Sequence, residues 1–386
     1  MNIVNIPVPI LNTYGDPKIE RQIIGIDTSG MKALYKSNIE TDIWYCMITT
    51  TDSLKIFDIR TLMDDETFNK VLNHQIKIVI DLPFEPFYKC IDSVYEDVTI
   101  KHNIPSSQVI FMSNMYDASQ YNNIIAESLG QIPIEVIWFP SLEFMLHDYD
   151  GDIPNTLTDK TYHKKYLNFN RRWRGHRPLL TLLLYHKNLL DSGHVSFAPC
   201  EHHRDWDEIW DGLVVGSLMN QELFDILQAS KDVKNLPPLY LDTDELDTNR
   251  AELTESTNKY YEDTYFSVIS ETTFYYRDTF LNSRFITEKT FKAIAMKHPF
   301  VLVTIPKSLE VLKKLGYKTF SPWINEDYDQ EMDDNKRMLM ILKEIERLCN
   351  LSTNDLGNFL LAINKICHYN HNLLKSKNNF IYQHYV

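Results

Sequence analysis

Residues Tyr265 to Val303 read YFSVISETTFYYRDTFLNSRFITEKTFKAIAMKHPFVLV, and this stretch decides the fold. Tyr265 to Ile269 is an apolar run of strand length, followed by a loop. Thr287-Glu288-Lys289 then opens a helix that reaches Lys297-His298, and Pro299 leads into a second strand, Phe300 to Thr304. Strand, loop, helix and strand in that order make an α/β unit. The loop feeding the helix start is where anionic ligands settle in such a unit, because free backbone N–H groups and the positive dipole end point the same way. Lys289 and Lys292 add charge there. Glu288 in the first turn also favours the helix itself, so a purely structural helix start is the plainer alternative.

The order Phe266-Ser-Val-Ile-Ser-Glu271, a spacer, Phe285-Ile286-Thr287-Glu288-Lys289, a helix containing Ala293, then Pro299 and an apolar strand resembles the donor-binding motif of the α-1,3-fucosyltransferases. That family shows a strand ending in Glu-Asn-Ser, then Tyr-Ile-Thr-Glu-Lys, a helix with Asn-Ala-Leu, and Pro-Val-Val. The match covers about forty residues of 386, and Ile-Thr-Glu-Lys is its specific part. Thr272 replaces the family Asn and Phe285 the family Tyr, departures that bear on the base and sugar more than on a diphosphate. The resemblance implies a GT-B glycosyltransferase: two Rossmann-like α/β domains facing across a cleft, with a nucleotide-diphosphate sugar, a GDP-sugar by preference, as donor. It implies that Lys289 serves the diphosphate, Glu288 the ribose, and Glu271 sugar or ribose hydroxyls, with Thr287 also among the donor-binding residues. It also implies inverting transfer that requires no cofactor and no metal.

Upstream lies the one strongly basic stretch, Lys160 to Arg177, with Lys164, Lys165, Arg171, Arg172, Arg174 and Arg177 and no Asp or Glu. Tyr166 to Phe169 reads as the first strand of a domain, and Arg177-Pro178 begins a helix over Leu179 to Asn188, where an early proline is well placed. A charged loop again meets a helix start, and guanidinium forks suit a diphosphate better than a lone lysine does. By position Arg177 is similar to the arginine that the fucosyltransferases use on the donor diphosphate, with Arg171 and Arg172 beside it as further candidates. Two other readings of the run stay open. The arginines can simply solvate one face, or, with Phe169 and Trp173 between them, they can form a nucleic-acid surface.

Residues 1–155 read as an N-terminal, acceptor-side domain and 156–386 as the C-terminal, nucleotide-sugar domain, joined by the polar stretch Asp148 to Asn155. In the first, Trp44 to Ile48, Ile76 to Ile80, Gln108 to Met112 and Glu135 to Phe139 are strand-length apolar runs. Helical segments near Asp65 to Leu72 and Tyr121 to Leu129 separate them, and this alternation predicts a largely parallel sheet with ligand loops at the strand C-termini. Those ends carry Asp81 and Glu85, Ser113 and Asn114, and Glu143. A carboxylate partly shielded by apolar neighbours serves as a general base, and Glu85, on a short loop bounded by Pro83 and Pro86, is the candidate. An ordinary turn with solvated acids is the competing reading.

A chain of 386 residues holds two domains. Its 44% hydrophobic content, with 22 Tyr and 19 Phe, fits globular domains rather than disorder. No apolar window approaches membrane-spanning length, and MNIVNIPVPI lacks the marks of a signal peptide, which predicts a soluble, cytoplasmic protein with no membrane partner. Five scattered cysteines with no Cys-x-x-Cys pair fit a reducing compartment. The net charge of −14 opposes general attraction to nucleic acid. Glu201-His202-His203 and the acidic loops near Asp242 and Asn325 lack metal-site spacing, so no metal is expected. Past the central motif, a helix over Ser308 to Leu315 ends at Gly316, and amphipathic helices cover Asn335 to Leu348 and Asn354 to Tyr369. The expected activity is transfer of a sugar to a hydroxyl of a glycan or other acceptor. The alternatives are a non-enzymatic nucleic-acid-binding protein that uses residues 160–177, and a glycosyltransferase acting on modified DNA bases.

Overall fold

The computed structural model describes residues 3–5, 44–49, 59–62, 65–82, 89–138, 140, 143, 162–170, 174–197, 206–217, 220–232, 239, 241, 255–276 and 283–383. Contacts divide the chain into two compact units. The first comprises Met1–Phe144, Arg277–Phe285 and Ile381–Val386, the second Met145–Tyr276 and Ile286–Phe380. Both are mixed α/β, each built on a sheet of parallel strands.

In the first unit β1 (Ile3–Asn5), β2 (Trp44–Thr49), β3 (Ile76–Leu82), β4 (Val109–Ser113) and β5 (Glu135–Trp138) lie side by side in chain order, all parallel. Between them run α1 (Ile59–Leu62), α2 (Asp65–Leu72), α3 (Lys89–Ser93), which continues as a wider turn through Val94–Ile100, and α4 (Ala118–Ser128). Side chains alternate across a strand, and Ile76, Ile78 and Ile80 of β3 join Val109 and Phe111 of β4 in one core. Val71, Ile91, Val94, Tyr95, Val98, Tyr121 and Ala126 from the helical segments complete it. Burying each such aliphatic side chain is worth roughly 1.5–3 kcal/mol. A polar cluster in this core is closed on itself: Tyr95 Oη donates to Asn122 Oδ1 at 2.7 Å and accepts from Ile134 N at 2.9 Å, while Asn122 Nδ2 donates to Ile134 O at 2.8 Å. Burial pushes the Tyr95 hydroxyl above its usual pKa.

The second unit holds β6 (Lys164–Asn170), α5 (His176–His186), β7 (Gly193–Phe197), α6 (Trp206–Ser217), α7 (Gln221–Ala229), α8 (Glu255–Glu262), β8 (Thr264–Ser270), α9 (Glu288–Ala295), β9 (Phe300–Val303), α10 (Ser308–Lys314), α11 (Asp334–Cys349) and α12 (Thr353–Gln383). Its four parallel strands take the order β7-β6-β8-β9. β8 is buried at every position, as expected of a central parallel strand covered on both faces. Gly193 is required where β7 begins, because a Cβ there would meet the Tyr166 ring at 2.5 Å.

Most strands and helices fall within a few residues of the sequence reading. α5 starts at His176 rather than Leu179, since Pro178 fits inside a first helical turn. α10 ends at Lys314 with Leu315 as its cap, and Gly316 takes φ +94° just beyond it. α12 runs to Gln383, fourteen residues past the expected Tyr369. The apolar period fails there because buried polar residues replace it: Asn370 holds Lys318 N and O at 2.8 Å each, and His371 Nδ1 meets Ala295 O at 2.7 Å. The expected linker, Asp148 to Asn155, lies outside the described residues.

Candidate functional site

The order β7-β6-β8-β9 reverses between β6 and β8: the chain leaves β6 toward β7 and returns on the other side as β8. Ligands of open α/β sheets bind at the carboxyl ends of strands at such a reversal. Here those ends are Asn170 and Ser270, and the helices that follow them are α5 and α9.

The start of α9 is fastened to β8 by Glu271. Its Oε1 accepts from Thr287 N at 3.1 Å and Thr290 Oγ1 at 2.6 Å, and its Oε2 accepts from Thr287 Oγ1 at 2.5 Å. Thr287 is the N-cap, and its oxygen in turn accepts from Lys289 N at 3.3 Å and Lys289 Nζ at 3.1 Å. With the hydroxyl proton directed at Glu271, its lone pairs draw the lysine to the helix start. Lys289 Nζ also bonds Glu288 Oε1 at 2.9 Å. Burial works to raise the Glu288 carboxyl, but the charge and hydrogen bond of Lys289, with Lys292 behind it, outweigh burial and hold its pKa below the usual value.

The start of α5 is fastened to Ser270, the last residue of β8, and to Glu271 just beyond it. Arg177 is 4% exposed, and its guanidinium donates to Ser270 O at 3.1 Å. His176 Nε2 lies 3.0 Å from Glu271 O, and because a carbonyl only accepts, that nitrogen carries the proton. Burial first, then the charge of Arg177, lowers the His176 pKa far below the ordinary histidine value, so the ring is neutral. It stacks on Phe274 with centroids 5.3 Å apart. The loop after β8 is held from below by Arg337 of α11, which is fully buried. Arg337 donates to Phe274 O at 2.5 Å, Thr304 O at 3.1 Å and Glu331 O at 2.9 Å, and lies 4.4 Å from the centre of the Phe274 ring. Asp334, bonded to Arg337, accepts from Tyr276 N at 2.7 Å.

Of the residues singled out in sequence, Arg177, Glu271, Thr287, Glu288 and Lys289 therefore gather around the end of β8. Glu271 meets the helix start with both oxygens, and its geometry is that of a residue positioning Thr287 and Lys289 rather than one reaching a sugar. Arg171, Arg172 and Glu85 lie outside the described residues. Among the other acids and polar residues at strand ends, Ser113 Oγ accepts from Met115 N at 3.1 Å as a turn former, and Glu143 is 1% exposed. Of the remaining cations in the basic run, Lys164 bonds Asp191 O at 2.6 Å and Lys165 bonds Leu351 O at 2.9 Å. No group of three or more His, Cys, Asp or Glu among the described residues is arranged to hold a metal ion, and no helix among them is long and apolar enough to cross a membrane.

Sequence reasoning missed His176 and Arg337. The signal for Arg337 was present: it stands four and eight residues before Ile341 and Ile345, on the buried stripe of an amphipathic helix, where a charge needs a partner.

No protein-family profile and no curated protein matches the chain. Among solved structures, the Glycosylation Associate Protein (Gap123) complex from Streptococcus agalactiae is similar at a TM-score of 0.33 and 10% identity, over 92% of this chain and 57% of that one. The chain thus spans a little over half of that neighbour's length, and a likeness of this order says nothing about activity.

Proposed function

We propose that the protein is a glycosyltransferase of the GT-B kind, similar to the fucosyltransferases, which moves a sugar from a nucleotide-diphosphate sugar to an acceptor hydroxyl. The observation that carries this reading is the fastening of two cation-bearing helix starts to consecutive residues, Ser270 and Glu271, at the strand-order reversal. Two positive helix ends with Arg177 and Lys289 beside them suit a diphosphate, the group that leaves when the sugar is transferred. The Ile-Thr-Glu-Lys resemblance falls on one of those helix starts and gives the preference for a GDP-sugar.

In this reading Arg177 and Lys289, with Arg171 and Arg172 as further cations, take up charge growing on the diphosphate, so the reaction needs no metal. Glu288 binds the ribose. Glu271 positions the helix start, and Glu85 of the first unit deprotonates the acceptor for a single inverting displacement. A glycan or other hydroxyl compound is the acceptor, and a modified DNA base is one such compound. The rival reading, a nucleic-acid-binding protein that uses residues 160–177, is weakened by its own lysines: Lys164 and Lys165 each donate to a carbonyl of the fold.

Calorimetric titration with GDP, UDP, ADP and CMP and their sugars tests the proposal. One of these binds, and Lys289→Ala weakens it about tenfold or more, as loss of a charge-assisted contact requires. Arg177→Ala has an effect of the same order or larger. Wild-type protein that binds none of them, but binds nucleic acid with a steep salt dependence, would sink the proposal in favour of its rival.

A further inference from the structure

The ladder between β6 and β8 stops at Leu167↔Ser267, although β6 continues to Asn170 and β8 to Ser270. On their outer sides both strands stay paired to the end, Asn170 with Phe197 and Ser270 with Val303. The hydrogen-bonded pairing of the second unit's sheet therefore splits over the last three residues of its two central strands. Such a split leaves backbone groups to be satisfied, and Asn168 Nδ2 answers by donating to Val268 O at 2.6 Å.

That bond orders the amides along the row. Val268 O only accepts, so Asn168 faces it with nitrogen and presents Oδ1 to its neighbour. Asn170 Nδ2 donates to Asn168 Oδ1 at 2.6 Å, which leaves Asn170 Oδ1 as an acceptor. Among the described residues this oxygen has no hydrogen-bond partner, and neither has Ser270 Oγ. Both residues are 1% exposed. The β6–β8 register, continued past its last pair, sets Asn170 abreast of Ser270 on the same side of the sheet. A buried polar atom left without a partner costs about 1–3 kcal/mol. Two of them, facing a split at the strand ends where ligands bind, point to a group that completes them.

We infer that this split is a subsite for a hydroxyl of the nucleotide sugar, held between Asn170 Oδ1 and Ser270 Oγ. The inference rests on the glycosyltransferase reading and says which part of the donor lies where. A phosphate oxygen is an acceptor facing the acceptor Asn170 Oδ1, so phosphate does not belong in the split. A base answers both only where an N–H and a C=O stand side by side on one edge, each meeting one of the two oxygens. A sugar hydroxyl does both, donating to Asn170 and accepting from Ser270. Arg177, bonded to Ser270 O, stands next to the split and is placed for the phosphate that adjoins that sugar in the donor. The hydroxyl comes from either of two sources, the ribose or the sugar to be transferred.

Ser270→Ala tests this cleanly, because it removes an oxygen that has no partner among the described residues. The variant melts at or above the wild-type temperature, since an unpartnered buried group has been deleted. Wild type and variant are titrated calorimetrically with inorganic pyrophosphate, GDP, GDP-fucose, UDP and UDP-glucose. Affinity for the nucleotide sugar that binds falls about two- to tenfold in Ser270→Ala, the value of one neutral hydrogen bond, while pyrophosphate binding is unchanged. A loss shared by the parent nucleoside diphosphate assigns the split to the ribose, and a loss confined to the nucleotide sugar assigns it to the transferred sugar. If the variant binds every nucleotide as the wild type does, or loses pyrophosphate equally, the split holds only water or phosphate; the inference fails and the glycosyltransferase reading stands. Wild-type protein that binds no nucleotide overturns both.

Discussion

The two sheets are made of the same parts but ordered differently. The first runs in chain order, β1-β2-β3-β4-β5, and the second doubles back as β7-β6-β8-β9. Because strand-to-strand crossovers are right-handed, a sheet in chain order carries its connecting helices on one face. The core of the first unit agrees, since its helical residues pack with one alternating set, Ile76, Ile78, Ile80, Val109 and Phe111. A sheet that doubles back sends its helices to both faces, and where they diverge a crevice opens between two strand ends. The second sheet has that place, and around it lie buried polar groups: Glu271, Arg177, His176, Asn170 and Ser270. Strand order, more than composition, separates a scaffold from a candidate site.

The sharpest way to break this contrast is Glu271→Ala. It leaves Thr287 N–H and two threonine hydroxyls without their acceptor inside the second unit, at a cost of about 3–5 kcal/mol. Amide hydrogen exchange should show faster exchange through residues 287–296 with the sheet of the first unit unchanged. Equal loss of protection in both sheets would mean that the site is not a separate device of the second. The next test asks whether the first unit supplies chemistry in spite of its plain sheet. Glu85→Gln keeps shape and removes basicity, so kcat, assayed in EDTA where wild-type turnover persists, falls about 10²-fold or more with donor affinity little changed. Near-normal turnover in Glu85→Gln, with Asp81→Asn or Glu143→Gln inactive, would move the base without moving the contrast.

The smallest effect depends on pH. Burial, aided by the charges of Lys297 and Lys375, lowers the His371 pKa from 6.5 to about 4 against the pull of its bond to Ala295 O. A histidine kept neutral in the folded state contributes stability that is full above its unfolded value and lost as pH falls from 6.5 toward 4. His371→Asn keeps a donor near Ala295 O and does not titrate. Relative to wild type, the variant should gain up to about 3 kcal/mol across that window, read by hydrogen exchange in the second unit alone. Curves that stay parallel from pH 7 to 4 would show that His371 is more open to water than its surroundings imply.

Much of this architecture was legible in the sequence, because strand-length apolar runs and helix caps are local signals. Thr287 declared itself as a cap, and Gly316 as a helix stop. Strand order was not legible, since it depends on pairings between residues about a hundred positions apart, as Tyr166 with Phe266. For the same reason the bonds of Glu271 to Thr287 and Thr290, sixteen and nineteen positions on, could not be read from the sequence. Asn170 and Ser270 carried no signal, because an Asn or Ser at a strand end usually makes a turn. The continuation of α12 past Tyr369 was hidden because buried, hydrogen-bonded Asn370 and His371 stand there between apolar Cys367 and Leu374.

Arg337 has a consequence for the thermodynamics of binding. The loop it grips runs from the end of β8 to Tyr276, and donors to Phe274 O and Thr304 O tie that loop to β9 and α11 before any ligand arrives. Ordering a mobile loop usually consumes part of the interaction energy, and here the ordering belongs to folding instead. Association at this loop should therefore be fast and carry little entropic penalty from the backbone. In Arg337→Met the penalty reappears in the entropy of binding, although residue 337 is itself fully buried in the fold.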